Sequence, residues 1–431
     1  MINKALIIIG NNSQILRGDN LLKIKICGLF PLERLILTAF QTGISSFLIV
    51  SETKLPFSFN KLITPRLRNL DITWIDGSGE LSKNSIKVKE HTQNDNFLIL
   101  RTEYQFSLDS LVQALSAENE LKRYPLLALS AKAPTGQTLL TGIYLASPSF
   151  YDLVDKAVRA TPLSSLDDIL DYSFKSKDLG LFEIPNNVWH HVATSQDLKI
   201  CEHKLFQTIR STTDGFFAKH FNKYISFFIS KYLIKTPLLP NHISQLVFSV
   251  GILSALCVTS RHYGVYLLGL FLYKMTSILD GCDGEVAKLR FQTSKLGAWL
   301  DTSFDNLTTF FFLLAIAYSN YQAHPSPLNY YLGIFALTLY ALAIFLLMFG
   351  LNRFETSGSL VSINTKFKKG KISSFFASGV RRDSFTVIFV IAGIFNLKNF
   401  ILGLTSAASL VVMVLSIHQI GRNLGLASGD K

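Results

Sequence analysis

From Asn306 to Asn352 the chain contains no Asp, Glu, Lys or Arg. About 20 apolar residues in a helix cross the hydrocarbon core of a bilayer, so this run accommodates two spans, broken at the turn-like His324-Pro325-Ser326-Pro327. In lipid every backbone polar group must find an internal partner, which leaves helices as the economical solution for such a run. Further apolar stretches lie at Ile243–Ser260, at His262–Leu279 (interrupted only by Lys274), at Phe385–Leu397 and at Asn399–Gly421. With a helix beginning near Lys295, the count is six, giving an all-α six-transmembrane-helix domain over 238–431. The Phe385 run is short for a span unless it borrows residues before the charged pair that precedes it.

Short loops rich in Lys and Arg stay on the cytoplasmic side. The loop from Asn352 to Asp383 carries Arg353, Lys366, Lys368, Lys369, Lys371, Arg381 and Arg382, against Glu355 alone before Asp383. It is therefore expected inside, with both termini on that side, in the cell (inner) membrane. A net charge of +12 on such a chain points to anionic membrane lipids as partners and not to nucleic acid. Ahead of the first span, Phe217, Phe221, Tyr224, Ile225, Phe228 and Tyr232 recur at three- and four-residue steps, with Lys219, Lys223, Lys231 and Lys235 on another face. Residues 206–237 are thus read as a linker carrying an amphipathic interfacial helix, ended by Pro237 and Pro240.

Four aspartates stand at the edge of the apolar region, in the sequence DGCDGEVAKLRFQTSKLGAWLDTSFD over 280–305. At 3.6 residues per turn, Asp280, Asp283, Gly284, Ala287 and Lys288 share an arc of about 140°, and Gly297, Asp301 and Asp305 share about 80° on a following helix. Two such helices facing each other offer four carboxylates to one point. Oxygen-only ligands without a His or Cys cluster select Mg²⁺ or Mn²⁺, and four negative charges balance two ions, an arrangement suited to phosphoryl displacement. Gly284, Ala287 and Gly297 leave room for a nucleotide against the backbone.

This spacing resembles the signature of the CDP-alcohol phosphatidyltransferase (CDP-alcohol phosphotransferase) family. One position differs, Lys288 standing where the family usually has Arg; Lys keeps the charge but not the planar fork. Arg290, two residues on, points away from that face. The resemblance implies that an acceptor hydroxyl attacks the β-phosphorus of a CDP-alcohol donor and that CMP leaves. It further implies that Asp280, Asp283 and Asp301 are metal ligands and that Asp305 accepts the proton while touching the second metal. Gly284, Lys288 and Ser294 correspond to donor-nucleotide contacts, as do Asn241 and Ser244 in Pro240-Asn241-His242-Ile243-Ser244. Arg381 and Arg382 correspond to a basic cluster for an acceptor phosphate, the alternative being a positive-inside anchor. The family also implies a homodimer.

Residues 1–205 read differently. Short runs such as Ala5–Ile9, Phe47–Val50, Phe97–Leu100 and Leu126–Leu129 alternate with helix-like segments such as Leu32–Thr42, the pattern of an α/β (Rossmann-like) soluble domain with a mainly parallel sheet. Cys27, Cys201, Cys257 and Cys282 show no paired spacing and suit a reducing compartment. The first strand ending at Gly10, the run Gly28-Leu29-Phe30-Pro31-Leu32-Glu33-Arg34 and the closing segment Trp189–Leu198 resemble the sugar-phosphate nucleotidyltransferases. They resemble especially the inositol-1-phosphate cytidylyltransferase domain fused to a CDP-alcohol phosphotransferase in bifunctional di-myo-inositol phosphate phosphate synthases. The family's Gly-x-Gly-x-Arg loop is replaced here by residues 10–17, GNNSQILR, and its metal-binding aspartates by Glu103, His191 and Ala193.

The expectation is a membrane transferase moving the substituted phosphate of CDP-diacylglycerol or a CDP-polyol to an acceptor hydroxyl, favouring a polyol phosphate, with a degenerate, catalytically silent front domain. One alternative is a bifunctional enzyme whose front domain makes its own CDP-alcohol from CTP. Another is a non-enzymatic membrane scaffold.

Overall fold

In the computed structural model, residues 2–10, 21–51, 64–75, 88–92, 95–132, 137–160, 165–184, 189–209, 222–353 and 382–423 are described. The chain divides into two units, Met1–Arg210 and Ser211–Lys431.

In the first unit, strand β1 (Lys4–Ile9, KALIII) buries every residue after the first. Such an apolar run belongs in a sheet covered on both faces. Its alternate side chains divide accordingly. Ala5, Ile7 and Ile9 join a core with Leu32 and Ile36 of helix α1 (Pro31–Gln41) and Leu111 of α2 (Leu108–Ser116). Leu6 and Ile8 join a second core with Phe150 and Val154 of α3 (Phe150–Ala160) and Ile169 of α4 (Leu166–Lys175). The period-2 alternation of a strand thereby creates helix, sheet and helix layers.

The remaining strands of this sheet are β2 (Ser46–Ser51), β3 (Asp71–Ile75), β4 (Phe97–Arg101), β6 (Leu126–Lys132), β7 (Thr138–Ala146) and β8 (Leu179–Glu183), in the order β3-β2-β1-β4-β7-β6-β8. The pairings of β7 with β4 and β6 are antiparallel and the others parallel, so the sheet is mainly parallel, as expected. A separate ribbon pairs β5 (Tyr104–Phe106) with β9 (Trp189–His191). Helix α5 (Ser195–Thr208) follows, opened by a capping box between Thr194 and Asp197.

The second unit is helical: α6 (Lys223–Leu233), α7 (Pro240–Val258), α8 (Tyr263–Leu289), α9 (Lys295–Ala323), α10 (Pro327–Arg353), α11 (Arg382–Ile394) and α12 (Lys398–Asn423). Among the described residues six helices follow α6, and the count of six spans is not confirmed. Among the described residues four qualify by length and composition, Pro240–Val258, Tyr263–Leu289, Pro327–Phe349 and Lys398–His418. Helix α9 is long enough but devotes its ends to Asp301, Asp305 and Asn306 and to Ser319-Asn320-Tyr321-Gln322. Within the described residues helix α11 has 13 residues. Large apolar side chains such as Leu256, Phe271 and Phe345 lie exposed, the surface a lipid environment would cover.

Close packing aligns the helices beneath the aspartates. Ser254 donates to the Gly269 carbonyl at 2.8 Å. A Cβ on Gly269 would lie 2.8 Å from the backbone nitrogen of Val258, so α7 and α8 meet at backbone distance only because no side chain intervenes. Phe312 of α9 stacks on Tyr273 of α8 with ring centroids 3.7 Å apart, and Phe389 of α11 lies 6.2 Å from Phe312.

Candidate active site

Helix α8 carries Asp280 and Asp283 and is stopped by Phe291, which adopts φ 53°. The amide of Gln292 then donates to the Ala287 carbonyl at 2.8 Å and that of Phe291 to Lys288 at 3.2 Å, a left-handed helix ending. The chain turns back, and Ser294 opens α9 by accepting from the Gly297 amide at 2.9 Å. A helix stop and a helix cap three residues apart bring the second aspartate pair back toward the first.

Carboxylate oxygens of Asp280, Asp301 and Asp305 lie within 4.8 Å of one another, each side chain half-buried. Three oxygen ligands so placed fit a hard divalent cation. Asp283 adjoins this cluster through a side-chain hydrogen bond with Asp301. It is buried, accepts the Ser244 hydroxyl, and accepts the Gly284 amide at 2.5 Å. Bonded to Ser244 of α7 on one side and to Asp301 of α9 on the other, it links the start of α7 to the acidic cluster.

The residues expected at the donor lie on α7, on α8 and at the start of α9. A Cβ at Gly297 would stand 3.3 Å from Asn241 Oδ1 and 3.0 Å from Ser294 Oγ, so Asn241, Ser294 and Gly297 adjoin. A Cβ at Gly284 would meet nothing within 4 Å, leaving its backbone approachable. Ala287 is buried and Lys288 is exposed. Arg290 does turn away, into carbonyl groups of residues 233–238. Arg381, together with residues 354–380 and residues 217, 219 and 221 of the amphipathic pattern, lies outside the described residues, and of Arg382 only the backbone is described. On α6, Tyr224, Phe228 and Tyr232 stand exposed at four-residue spacing, while Ser226 faces inward and donates to Glu285 at 2.7 Å.

Residues 237–417 match the family model described as CDP-alcohol phosphatidyltransferase. This segment is a CDP-alcohol phosphatidyltransferase domain. The four aspartates, Asn241 and Ser244 all fall inside it. Among curated proteins, the chain is 32% identical over 178 residues to the "Bifunctional IPC transferase and DIPP synthase" of Aquifex aeolicus, covering 41% of this chain and 40% of that protein. It is 31% identical over 193 residues to the protein of the same name from Thermococcus kodakarensis, covering 44% and 43%. The chain thus spans about two-fifths of the length of the curated relatives it matches. Similar solved structures include an inositol-1-phosphate CTP transferase from T. maritima, at 12% identity and a TM-score of 0.39, covering 47% of this chain and 95% of that one. Another is a glucose-1-phosphate thymidylyltransferase from Bacillus anthracis, at 14% identity and a TM-score of 0.38, covering 46% and 94%.

The α/β unit has an ionic cluster of its own at the end of β1 and β4. Arg101 donates to Glu103 at 2.5 Å and to Asp167, the first two side chains being buried and Asp167 exposed. Burial alone would lower the Arg101 pKa, but the Glu103 and Asp167 carboxylates hold it well above the ordinary value. Gly10 abuts this pair, since a Cβ there would lie 2.9 Å from Glu103 Oε1. The His191 ring lies tilted against Tyr104 with centroids 4.6 Å apart, and Ala193 donates its amide to Asp197 at 3.3 Å. The positions expected to replace the metal-binding aspartates are therefore engaged with one another or with neighbours, and the loop after Gly10 lies outside the described residues.

Proposed function

We propose that the chain is an integral membrane transferase that moves the substituted phosphate of a CDP-alcohol to an acceptor hydroxyl and releases CMP. The carrying observation is the convergence of Asp280, Asp301 and Asp305 inside the matched domain. The acceptor oxygen forms a bond to the β-phosphorus, the bond from that phosphorus to the bridging oxygen breaks, and CMP departs with the electron pair. Asp305 takes the acceptor proton, a role that requires a carboxylate within hydrogen-bond reach of the hydroxyl.

Asp280, Asp301 and Asp305 would hold Mg²⁺ or Mn²⁺, as a single ion or a pair, and the metal when bound supplies electrostatic stabilisation to the diphosphate oxygens. Asp283 and Ser244 fix the junction of α7 and α8 beside it. Asn241, Ser294 and Gly297 form one wall for the donor, Gly284 offers open backbone, and Lys288 brings a cation to the diphosphate. Arg381 and Arg382 are assigned to an acceptor phosphate. The site faces the cytoplasm with the α/β unit on the same side, and the exposed aromatic stripe of α6 lies in the lipid headgroups. The chain works as a homodimer.

The relatives' names, bifunctional IPC transferase and DIPP synthase, favour a second reading over the silent front domain expected from the sequence. In it the α/β unit also makes a CDP-alcohol from CTP and an alcohol phosphate, preferentially a polyol phosphate such as an inositol phosphate. Pyrophosphate release from CTP by the full chain distinguishes the two.

The transferase is tested by supplying membranes bearing the protein with CDP-diacylglycerol or CDP-inositol and a panel of free and phosphorylated polyols. Mg²⁺-dependent CMP release is expected with one pairing and is lost in Asp305→Asn. No release from any pairing rejects the transferase in favour of a scaffold.

A further inference from the structure

We infer that Arg290 is a positioning residue, one that sets the donor-facing start of α7 against the acidic helix α8. Arg290 caps the C-terminus of α8 and is 6% exposed. Its guanidinium donates from Nη1 to the Leu238 carbonyl at 2.6 Å, and from Nη2 to Ile234 at 2.6 Å, Thr236 at 2.5 Å and Leu233 at 3.4 Å.

These four carbonyls are not a random set. Leu233 is the last residue of α6 and Ile234 its cap, where backbone carbonyls lack intrahelical partners and the helix dipole is negative. Thr236 and Leu238 belong to the turn that delivers the chain to Pro240, the first residue of α7. One buried cation therefore ties three segments together: the end of α6, the start of α7 and the end of α8. A charge is costly to bury unless hydrogen bonds surround it, so its position is as fixed as the carbonyls that satisfy it.

What depends on this tie is the wall built from the first turn of α7. Asn241, three residues past Leu238, lies against Gly297, and Ser244 donates to Asp283. The three clustered carboxylates sit on α8 and α9 alone. Loosening Arg290 should therefore shift the donor wall while leaving the cation site in place. Lys keeps the charge but lacks the fork that spreads donors over both arms, so Arg290→Lys separates geometry from charge.

The inference rests on the proposed function, and CDP serves as the donor probe. With full-length protein in nanodiscs, CDP binding is measured by calorimetry and Mn²⁺ binding by electron paramagnetic resonance, for wild type, Arg290→Lys and Arg290→Gln. The expected result is CDP affinity lowered about tenfold in Arg290→Lys and further in Arg290→Gln, with Mn²⁺ affinity within twofold of wild type. Unchanged CDP affinity in both variants, in a wild type that binds CDP, overturns the inference alone. A joint fall of CDP affinity, Mn²⁺ affinity and thermal midpoint in Arg290→Lys also overturns it, because that is a general loss of fold. A wild type that binds Mn²⁺ but not CDP overturns both this inference and the function on which it rests.

Discussion

The Ser244 hydroxyl donates to the Asp283 carboxylate, bonding the first turn of α7 to the acidic helix α8. A hydrogen bond to a charged group contributes about 1.5–3 kcal/mol, enough to matter to a site made where three helices meet. Ser244→Ala is expected to raise the donor KM about tenfold, whereas Ser244→Thr, which keeps the hydroxyl, should remain near wild type. Steady-state CMP release at varied donor concentration checks this. Equal KM values in Ser244→Ala and wild type would remove the bond from the account.

Lys288 is exposed one turn beyond Gly284. If it meets the donor diphosphate, Lys288→Arg preserves or improves donor affinity, because the fork holds two oxygens at once, while Lys288→Ala weakens it roughly tenfold. A large loss in Lys288→Arg would mean that the pocket is shaped around the smaller ammonium.

In the α/β unit, removing the guanidinium of Arg101 strands Glu103, which is 1% exposed. Truncating one partner of a buried ion pair costs about 3–5 kcal/mol, so Arg101→Met should lower the unit's stability to denaturant by that order. Arg101→Met combined with Glu103→Gln should recover part of it. Hydrogen exchange of the β1 and β4 amides in the full chain reads both, and unchanged protection in the single variant contradicts the assignment.

His91, His190 and His191 are all pushed below the ordinary histidine value of 6.5, in each case chiefly by burial. The folded unit keeps them neutral while the unfolded chain protonates them as pH falls through that value. The unfolded state then binds more protons, so stability is full above about pH 6.5 and declines below it. Protection of the same amides should fall between pH 7.5 and 5.5, and His191→Phe, which retains the ring against Tyr104, should flatten the decline. A profile that is flat, or that rises toward acid, contradicts this.

The acidic cluster was legible because helical spacing alone puts Asp280 on one arc and Asp301 and Asp305 on another, and a helix stop and a cap lie between them. The bond from Ser244 to Asp283 was not, since periodicity gives the face of a helix but not which neighbour packs against it. Ser244 stood in the sequence as a donor contact, and only packing of α7 on α8 reveals it as the partner of a carboxylate. Arg290 could be read as turned away from the aspartates, but its four carbonyls come from residues 233–238, a distant turn whose fold no local pattern encodes. In the α/β unit the apolar runs marked the strands, whereas the reversal of β7 depends on tertiary pairing. The six-span count treated apolar runs as equivalent; among the described residues the polar ends of α9 and the 13 residues of α11 leave four helices that meet the requirement.

The central claim is that Asp280, Asp301 and Asp305 together hold a divalent cation. Mn²⁺ titration of the full-length protein in nanodiscs, followed by electron paramagnetic resonance, tests it most directly when wild type is set beside the Asp280→Asn, Asp301→Asn and Asp305→Asn triple variant. The account predicts a saturable high-affinity site in wild type that is absent from the triple variant while the helical fold persists. Equal Mn²⁺ binding by the two proteins would contradict it.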